Sequence, residues 1–285
     1  MLSLLTALMP LCAFSQTRRA LVIGLGEQLD SRWGKINGDR DVPLIVGMLE
    51  ANGFDDIRTL VNSKATKNGI VKSIKSLGRR CRPGDIVYIH FSGHGQRVTD
   101  LNGDETDDRW DEAWIPYDAY RAYCPNDRGE KHLTDDELSR LLTDIRAHVS
   151  HEGSIVVCVD ACHSGDSTRG VACDGIRGVL DDFEIPDSKT PRSRAKRLPM
   201  TWVTLSACKD YQINCEHPLG YGRLSYALHT MWPTLAGDHD NSSIVNALAR
   251  QMRKSPSKLP QPQTPTISNP RGEVFSVIFQ PARPN

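Results

Sequence analysis

The sequence predicts an α/β fold in which a central, mostly parallel sheet of about six strands is covered by helices on both faces. Short apolar runs rich in β-branched residues recur along the chain, and amphipathic helical patterns alternate with them. This alternation favours a parallel sheet, because each helix returns the chain to the edge where the next strand begins. The 285 residues, 39% of them hydrophobic, provide a substantial core.

The elements are predicted in chain order from these patterns. Strands are expected at 19–24, 57–61, 86–91, 154–159, 202–205 and 274–279. Helices are expected at 40–52, 66–78, 134–147, 222–235 and 242–254. Thr134 followed by Glu137 forms a capping box that starts the third helix. Segments 100–118, 187–199 and 255–270 lack either periodicity and are predicted to be loops.

The charge balance excludes some classes of partner. The chain has 35 basic and 35 acidic residues, so no global field attracts it to nucleic acid or to an anionic membrane. After the first sixteen residues, no stretch approaches the roughly 18 apolar residues of a membrane span. We therefore expect neither a nucleic-acid partner nor a membrane span.

Residues 1–16 have the pattern of a signal peptide. They carry no charge, contain a run of about ten mostly apolar positions, and end in a small-residue A-F-S pattern. The sequence thus predicts a secreted or periplasmic protein. The first residues lack Lys or Arg, which leaves a misassigned start or a disordered leader, and a cytoplasmic location, as the alternative. If the protein is secreted, Cys208 and Cys215 are candidates for a short-loop disulfide.

Two motifs follow predicted strands directly. The strand at 86–91 leads into Ser92-Gly93-His94-Gly95, and the strand at 154–159 leads into Asp160-Ala161-Cys162-His163-Ser164-Gly165. In an open α/β sheet, ligands bind in the crevice outside the carboxyl ends of the strands. If these two strands are neighbours, His94 and Cys162 face the same crevice.

A cysteine beside a histidine is the arrangement of a cysteine protease. The imidazole raises the thiolate fraction and supplies the proton to the leaving amine. Gly93 and Gly95 permit the tight turn around His94, and the amides around Gly93 and Cys162 are candidate oxyanion donors. Taken singly, Cys162 is also consistent with a buried structural cysteine, and His94 with a hydrogen-bonded turn residue.

The two motifs resemble the catalytic motifs of the metacaspases, the caspase-like cysteine proteases of bacteria, plants and protists. Further matches fall in family order: Asn37-Gly38-Asp39-Arg40-Asp41, Gly53-Phe54, Gly84-Asp85, Asp111-Glu112 with Pro116, and Leu205-Ser206-Ala207-Cys208. The resemblance implies a caspase-type three-layer α/β/α sandwich over residues 17–285. It also implies an endopeptidase with Cys162 as the nucleophile and His94 as the general base and acid, and no required organic cofactor.

Asp160 points to the substrate. It lies two residues before Cys162, so the period of a strand directs its side chain to the same side as the nucleophile, where a carboxylate attracts a cationic residue. The resemblance implies protein or peptide substrates cleaved after Arg or Lys, with Asp160 and Ser92 lining the pocket. Val42 stands where the family often has a further Asp.

Asp39 or Asp41 is a candidate substitute for that missing carboxylate. The alternative for both is an ordinary carboxylate in the first turn of a helix. A relative with another preference before the cut, and an inactive interaction module of the same fold, are the rival functions.

The basic loop at 187–199 suits cleavage by an enzyme of this specificity, since it contains Arg192, Arg194, Lys196 and Arg197. Self-processing there would divide a large part, 17–186, from a small part, 200–285. The alternative is a solvated loop that is never cut.

Segment 100–118 contains eight acidic residues and one basic residue. It is either a solvated loop or a site for a hard cation. In many metacaspases scattered carboxylates bind calcium, and Asp111, Asp135 and Asp136 resemble some of those positions. The resemblance thus allows a calcium site.

Overall fold

The structure is a computed structural model, and it describes residues 16–105, 109–162, 175–179, 181–186, 198–210, 212–237, 239–255 and 262–280. Apart from Gln16, the predicted signal peptide lies outside these residues, as does 187–197 of the basic loop. The strands are β1 (Arg18–Gly24), β2 (Asp56–Val61), β3 (Ile86–Ser92), β4 (Gly95–Thr99), β5 (Trp110–Trp114), β6 (Leu133–Thr134), β7 (Ser154–Asp160), β8 (Val203–Ser206), β9 (Glu216–His217), β10 (Tyr221–Gly222) and β11 (Thr266–Ser268). The helices are α1 (Gly38–Ala51), α2 (Lys67–Arg80), α3 (Asp135–Val149), α4 (Arg223–Leu235) and α5 (Asn241–Arg253).

The central sheet has six strands in the order β11-β8-β7-β3-β1-β2. Strands β2, β1, β3, β7 and β8 pair in parallel, and β11 is antiparallel to β8. The predicted mostly parallel sheet is therefore confirmed. Within the described residues, no helix is long and apolar enough to cross a membrane.

Helices cover both faces of the sheet. In β1, Ala20 and Val22 pack into one core with α1, α4 and α5, while Leu21 and Ile23 pack into a second core with α2 and α3. Alternate residues of a strand point to opposite faces, so one apolar strand supplies both cores. The predicted three-layer α/β/α sandwich is confirmed.

The predictions for segments 274–279 and 255–270 are wrong. Residues 274–279 do not form a strand: Phe275–Phe279 is a 3-10 turn, and Phe275, Ile278 and Phe279 enter the core at helical spacing. The sixth strand is instead β11, inside the segment 255–270 that the sequence marked as a loop. Its three residues pair with β8, and so short a run between prolines gives no strand signal.

The acidic segment 100–118 is not wholly a loop either. It contains β5, which pairs with β4 and β6 in a separate three-stranded sheet. The capping box of α3 is confirmed at its start, where the Glu137 N–H donates to the Thr134 side chain at 3.4 Å.

Candidate active site

The two motifs leave the sheet side by side. Strands β3 and β7 are neighbours, and their last residues, Ser92 and Asp160, are register partners. His94 and Cys162 each follow two residues later, so both start from the same edge of the sheet. Both are closely covered, with 1% of each residue exposed. The two strands are therefore neighbours, as the sequence argument required.

His94 is oriented by one backbone contact. Its Nε2 lies 2.7 Å from the Gly34 carbonyl oxygen, which only accepts, so Nε2 carries the proton. Nδ1 is then an acceptor, and it is buried with no hydrogen-bond partner among the described residues. Burial lowers the pKa of His94 to about 4. The ring stacks on Trp33 with centroids 5.1 Å apart, which fixes its plane.

Cys162 is a thiol rather than half of a disulfide. Its Sγ donates to the Gln212 carbonyl oxygen at 3.1 Å, and the Cys208 Sγ reaches the same oxygen at 3.4 Å. Cys208 is also a thiol, whereas Cys215 is disulfide-bonded. The expected Cys208–Cys215 disulfide is therefore wrong, and the partner of Cys215 lies outside the described residues.

Two amides converge on one oxygen beside Cys162. The N–H groups of Cys162 and Gly95 donate to the Arg177 carbonyl oxygen at 2.8 and 3.2 Å. The amide of Gly93 instead donates to the Asp160 carbonyl oxygen at 3.4 Å, so of the two candidate glycines it is Gly95 whose amide points to this oxygen. Gly93 is needed for space, because a Cβ there would lie 2.9 Å from the Phe91 ring.

A negatively charged pocket lies next to these amides. Asp41 comes from the first turn of α1, Ser92 from the end of β3 and Asp160 from the end of β7, and all three are buried. The side chain of Arg177 fills this pocket. Its Nη1 lies 2.9 Å from Asp41 Oδ2 and 3.7 Å from Asp160 Oδ1, and its Nη2 lies 3.0 Å from Glu216 Oε1.

Hydrogen bonds hold the carboxylates in place. Asp160 accepts from the Asn214 side chain at 2.8 Å and from the backbone and hydroxyl of Ser225, each at 2.8 Å. Asp41 accepts from the Ser92 hydroxyl at 2.5 Å and from the Gly222 amide at 2.9 Å. These donors fix the oxygen atoms that face the guanidinium.

The charges in the pocket act on one another. Burial raises the pKa of Asp41 to about 6, although the positive charge of Arg177 opposes this. Burial also acts to raise the pKa of Asp160, but the charge of Arg177 and the hydrogen bonds from Asn214 and Ser225 outweigh it, and the pKa is lowered. Arg177 stays protonated because the three surrounding carboxylates raise its pKa.

Asp41, and not Asp39, lies in this pocket. Asp39 is half-buried, and its carboxylate faces the Asn62 side chain at 3.5 Å. Sequence reasoning missed Arg177, Glu216 and Asn214 entirely. Arg177 and Asn214 belong to irregular segments and Glu216 to the two-residue strand β9, and each meets its partners only through the fold, so no spacing in the sequence indicates its role.

A second acidic group lies on the small sheet and the start of α3. Carboxylate oxygens of Asp100, Asp104 and Asp111 lie within 4.8 Å of one another. Burial, followed by the charges of neighbours that include Asp135 and Asp136, raises the pKa of Asp111 to about 8. The Oδ1 atoms of Asp104 and Asp111 are buried and accept no hydrogen bond among the described residues. Of the three expected carboxylates, Asp111 belongs to the converging group, whereas Asp135 and Asp136 contribute to it only as neighbouring charges.

A cavity of about 440 Å³ lies beside Cys162 and reaches the start of α3. Cys162 and Asp135 both line it, and Trp114, Leu138 and Trp202 form part of its apolar wall. Asp135, at the start of α3, thus lies on the wall of the same cavity as Cys162.

Comparison with known proteins shows which family the chain is similar to. Residues 18–169, more than half of the chain, match the family described as metacaspase, peptidase C14 domain. Metacaspase-1 of Coccidioides immitis is 26% identical over 300 residues, which cover 89% of this chain and 62% of that protein. Metacaspase-1 of Botryotinia fuckeliana is 31% identical, over 60% of this chain and 44% of that protein. The chain spans about half the length of such relatives.

Two solved structures have a similar fold. A crystal structure of a Geobacter sulfurreducens protein covers 94% of this chain with a TM-score of 0.66 and 22% identity, and all of that chain is covered. Caspase-1 of Spodoptera frugiperda covers 89% of this chain with a TM-score of 0.57 and 13% identity, over 86% of its own length. At these identities the likeness concerns the fold alone.

Proposed function

Since the chain belongs to the metacaspase family of cysteine peptidases, we propose that it is a cysteine endopeptidase that cleaves proteins or peptides after Arg or Lys. One observation carries the proposal. An arginine side chain lies between Asp41 and Asp160, and its own carbonyl oxygen accepts from the amides of Cys162 and Gly95. The site therefore suits a basic residue immediately before the reacting bond.

In this mechanism Cys162 is the nucleophile and His94 the general base and acid. The Gly34 carbonyl fixes the proton on Nε2 of His94, which leaves Nδ1 to accept the thiol proton. A pKa lowered to about 4 keeps the imidazole neutral before the reaction, as a base must be. Its stacking on Trp33 restricts the ring to one orientation.

The thiolate attacks the carbonyl carbon of the substrate, and a negative charge develops on the carbonyl oxygen. The amides of Cys162 and Gly95 already converge on one oxygen at 2.8 and 3.2 Å, so they stabilise this charge without rearrangement. His94 then gives its proton to the departing amine, and water hydrolyses the thioester. No organic cofactor enters these steps.

Substrate preference follows from charge. Asp41, Asp160 and Glu216 surround a single guanidinium. A neutral or acidic side chain in that position would leave buried carboxylates without a counter-charge, which is costly in a site screened from water. Lysine satisfies the charge, but it lacks the planar fork that contacts Asp41 and Glu216 together.

The test uses the full chain with fluorogenic peptides ending in Arg, Lys, Asp or Asn, with and without CaCl2. We expect kcat/KM for Arg and Lys peptides to exceed that for Asp peptides by on the order of 100-fold or more. Cys162→Ala is the control and should be inactive. If the wild type shows no Cys162-dependent hydrolysis of any peptide, the proposed peptidase activity is contradicted and an interaction module is favoured. Preferential hydrolysis of Asp peptides would contradict only the basic preference.

We also propose that Asp100, Asp104, Asp111, Asp135 and Asp136 hold a calcium ion. Carboxylate oxygens are the ligands that Ca²⁺ prefers. Two buried oxygens without hydrogen-bond donors suit a bound cation, and so does the pKa of Asp111, which burial and then the neighbouring carboxylates raise to about 8. The bound ion would neutralise the cluster and order the wall of the cavity that reaches Cys162.

Isothermal titration with CaCl2 tests the calcium site. We expect saturable binding that Asp111→Asn weakens strongly. The matched control is Asp55→Asn, an exposed aspartate outside the cluster. Equal binding by both variants would contradict the assignment.

We propose in addition that the protein acts in an oxidising compartment after removal of a signal peptide. The disulfide of Cys215 supports this, because disulfides persist outside the reducing cytosol. Mass analysis of secreted protein should give a chain that starts near Gln16. Retention of Met1 on cytoplasmic protein would contradict it. Processing within 187–199, by a second copy of the enzyme, stays a prediction.

A further inference from the structure

A segment of the chain crosses its own active site in extended form. On one side of Arg177 it runs antiparallel to the segment 214–216: the Glu216 amide donates to the Gly175 carbonyl at 3.1 Å, and the Arg177 amide donates to the Asn214 carbonyl at 2.9 Å. Ile176 and Cys215 form the bridge between these bonds. Pairing of this kind is how extended peptides add to an exposed edge.

The segment continues past Arg177 along β4. Gly178 bridges Gly95 in parallel, and the Phe183 amide donates to the Arg97 carbonyl at 2.8 Å. The Phe183 side chain is fully buried against Val98. The chain is thus anchored on both sides of the Arg177–Gly178 bond.

The bond itself lies where a substrate bond would react. The Arg177 side chain fills the acidic pocket. Its carbonyl oxygen accepts hydrogen bonds from the amides of Cys162 and Gly95, the two donors that we assign to the developing oxyanion. Gly178 lies directly against the nucleophilic residue, since a Cβ on it would be 3.1 Å from the Cys162 Cβ and 2.6 Å from the Cys162 carbonyl oxygen. A residue with a side chain does not fit here, so the glycine after Arg177 suits the position.

We infer that the Arg177–Gly178 peptide bond is a self-cleavage site of this chain. The inference rests on the proposed function, since the same Cys162 and His94 act. The Cys162 sulfur forms a bond to the Arg177 carbonyl carbon, the bond from that carbon to the Gly178 nitrogen breaks, and His94 passes the thiol proton to the leaving amine. Water then hydrolyses the thioester, which restores the thiol and leaves a carboxylate on Arg177.

Cleavage would also control access to the pocket. While Arg177 is buried there, the arginine of another substrate has no place to bind. The uncut chain should therefore be inactive toward Arg peptides. Cutting the bond removes one of the two anchors of Arg177 and allows it to leave.

The experiment follows purified full-length chains over time, with and without CaCl2. Fragments are separated under reducing conditions, because a disulfide could hold them together. The two cysteines outside the described residues, Cys12 and Cys173, both precede Arg177, so a bond from Cys215 to either of them would join the two fragments. N-terminal sequencing identifies the new terminus. The variants are Cys162→Ala, Arg177→Gln, Arg177→Lys and, as a matched control in the basic loop, Arg194→Gln.

We expect wild type to yield a fragment beginning at Gly178, at a rate independent of protein concentration. Cys162→Ala should stay whole, and Arg177→Gln should be cut on the order of 100-fold more slowly or less. Arg177→Lys and Arg194→Gln should still be cut after residue 177. Wild type and Cys162→Ala keep every contact of the pocket, so they decide the question even if Arg177→Gln is poorly folded.

Three results would overturn the inference. One is cleavage within 187–199 with the Arg177–Gly178 bond intact, and another is a Gly178 terminus that also forms in Cys162→Ala. The third is Cys162-dependent hydrolysis of peptides without any cut at this bond, which refutes self-cleavage while the proposed function stands. If no chain hydrolyses any peptide or itself, the proposed function has failed and the inference with it.

Discussion

Asp41→Asn tests the charge logic of the pocket most directly. The substitution keeps the shape of the side chain and an oxygen for the Gly222 amide, but removes the charge that lies 2.9 Å from the guanidinium. At an effective dielectric constant near 20, an ion pair at this distance is worth about 6 kcal/mol before desolvation. Measured losses on removing one partner of such a pair are about 2–5 kcal/mol. Asp160 and Glu216 remain, so we expect about 3 kcal/mol, or roughly 100-fold in kcat/KM.

The assay measures kcat/KM on Arg peptides, expressed per chain cleaved at Arg177. The matched control is Asp39→Asn. Asp39 lies two residues before Asp41 on α1 and faces Asn62 rather than the pocket, so the rate of this variant should stay within about 2-fold of wild type. Reaction of Cys162 with neutral iodoacetamide should be unchanged in both variants. Equal losses in the two variants, or a loss below about 3-fold in Asp41→Asn, would refute the reasoning.

Three further changes have definite outcomes. Trp33→Leu removes the ring stacked on His94 and should lower kcat by about 10-fold with KM nearly unchanged, a split that steady-state kinetics would show. Gly222→Ala places a Cβ against Asp160 and should abolish cleavage of Arg peptides, whereas Gly47→Ala, exposed within α1, should raise the unfolding free energy by about 0.5–1 kcal/mol in urea titrations. Because the pKa of Asp111 is raised to about 8, the folded protein holds that proton more tightly than the unfolded chain, so the metal-free melting temperature should fall from pH 6 to pH 9. CaCl2 should reverse this fall, and a flat profile by scanning fluorimetry would contradict the calcium site.

The sequence predicted those parts of the site that are local. His94 and Cys162 each follow an apolar strand within two residues, and the rule that sheet crevices lie at the carboxyl ends of strands places them together. Asp160 follows from the period of two along β7. Backbone geometry alone carries these inferences, so no knowledge of distant contacts was needed.

The remaining parts depend on contacts between segments far apart in the chain. Glu216 meets Arg177 across 39 residues, and Asn214 meets Asp160 across 54. Arg177, Asn214 and Glu216 have no periodic pattern around them. The strand predicted at 274–279 was wrong for a related reason. A short apolar run is consistent with either a strand or a helical turn until the core that it faces is known, and here Phe275–Phe279 forms a 3-10 turn.

Although the overall charge of the chain is zero, the pocket has more negative than positive groups. Asp41, Asp160 and Glu216 contribute three carboxylates to the pocket and Arg177 a single cation. Buried carboxylates without a counter-charge are strongly disfavoured, so this pocket requires a cation in every stable state. Before cleavage Arg177 supplies it from within the chain, and afterwards the same requirement selects an arginine or lysine from a substrate. Self-cleavage and specificity are then two consequences of one charge deficit, and a variant that removes the deficit should lose both together.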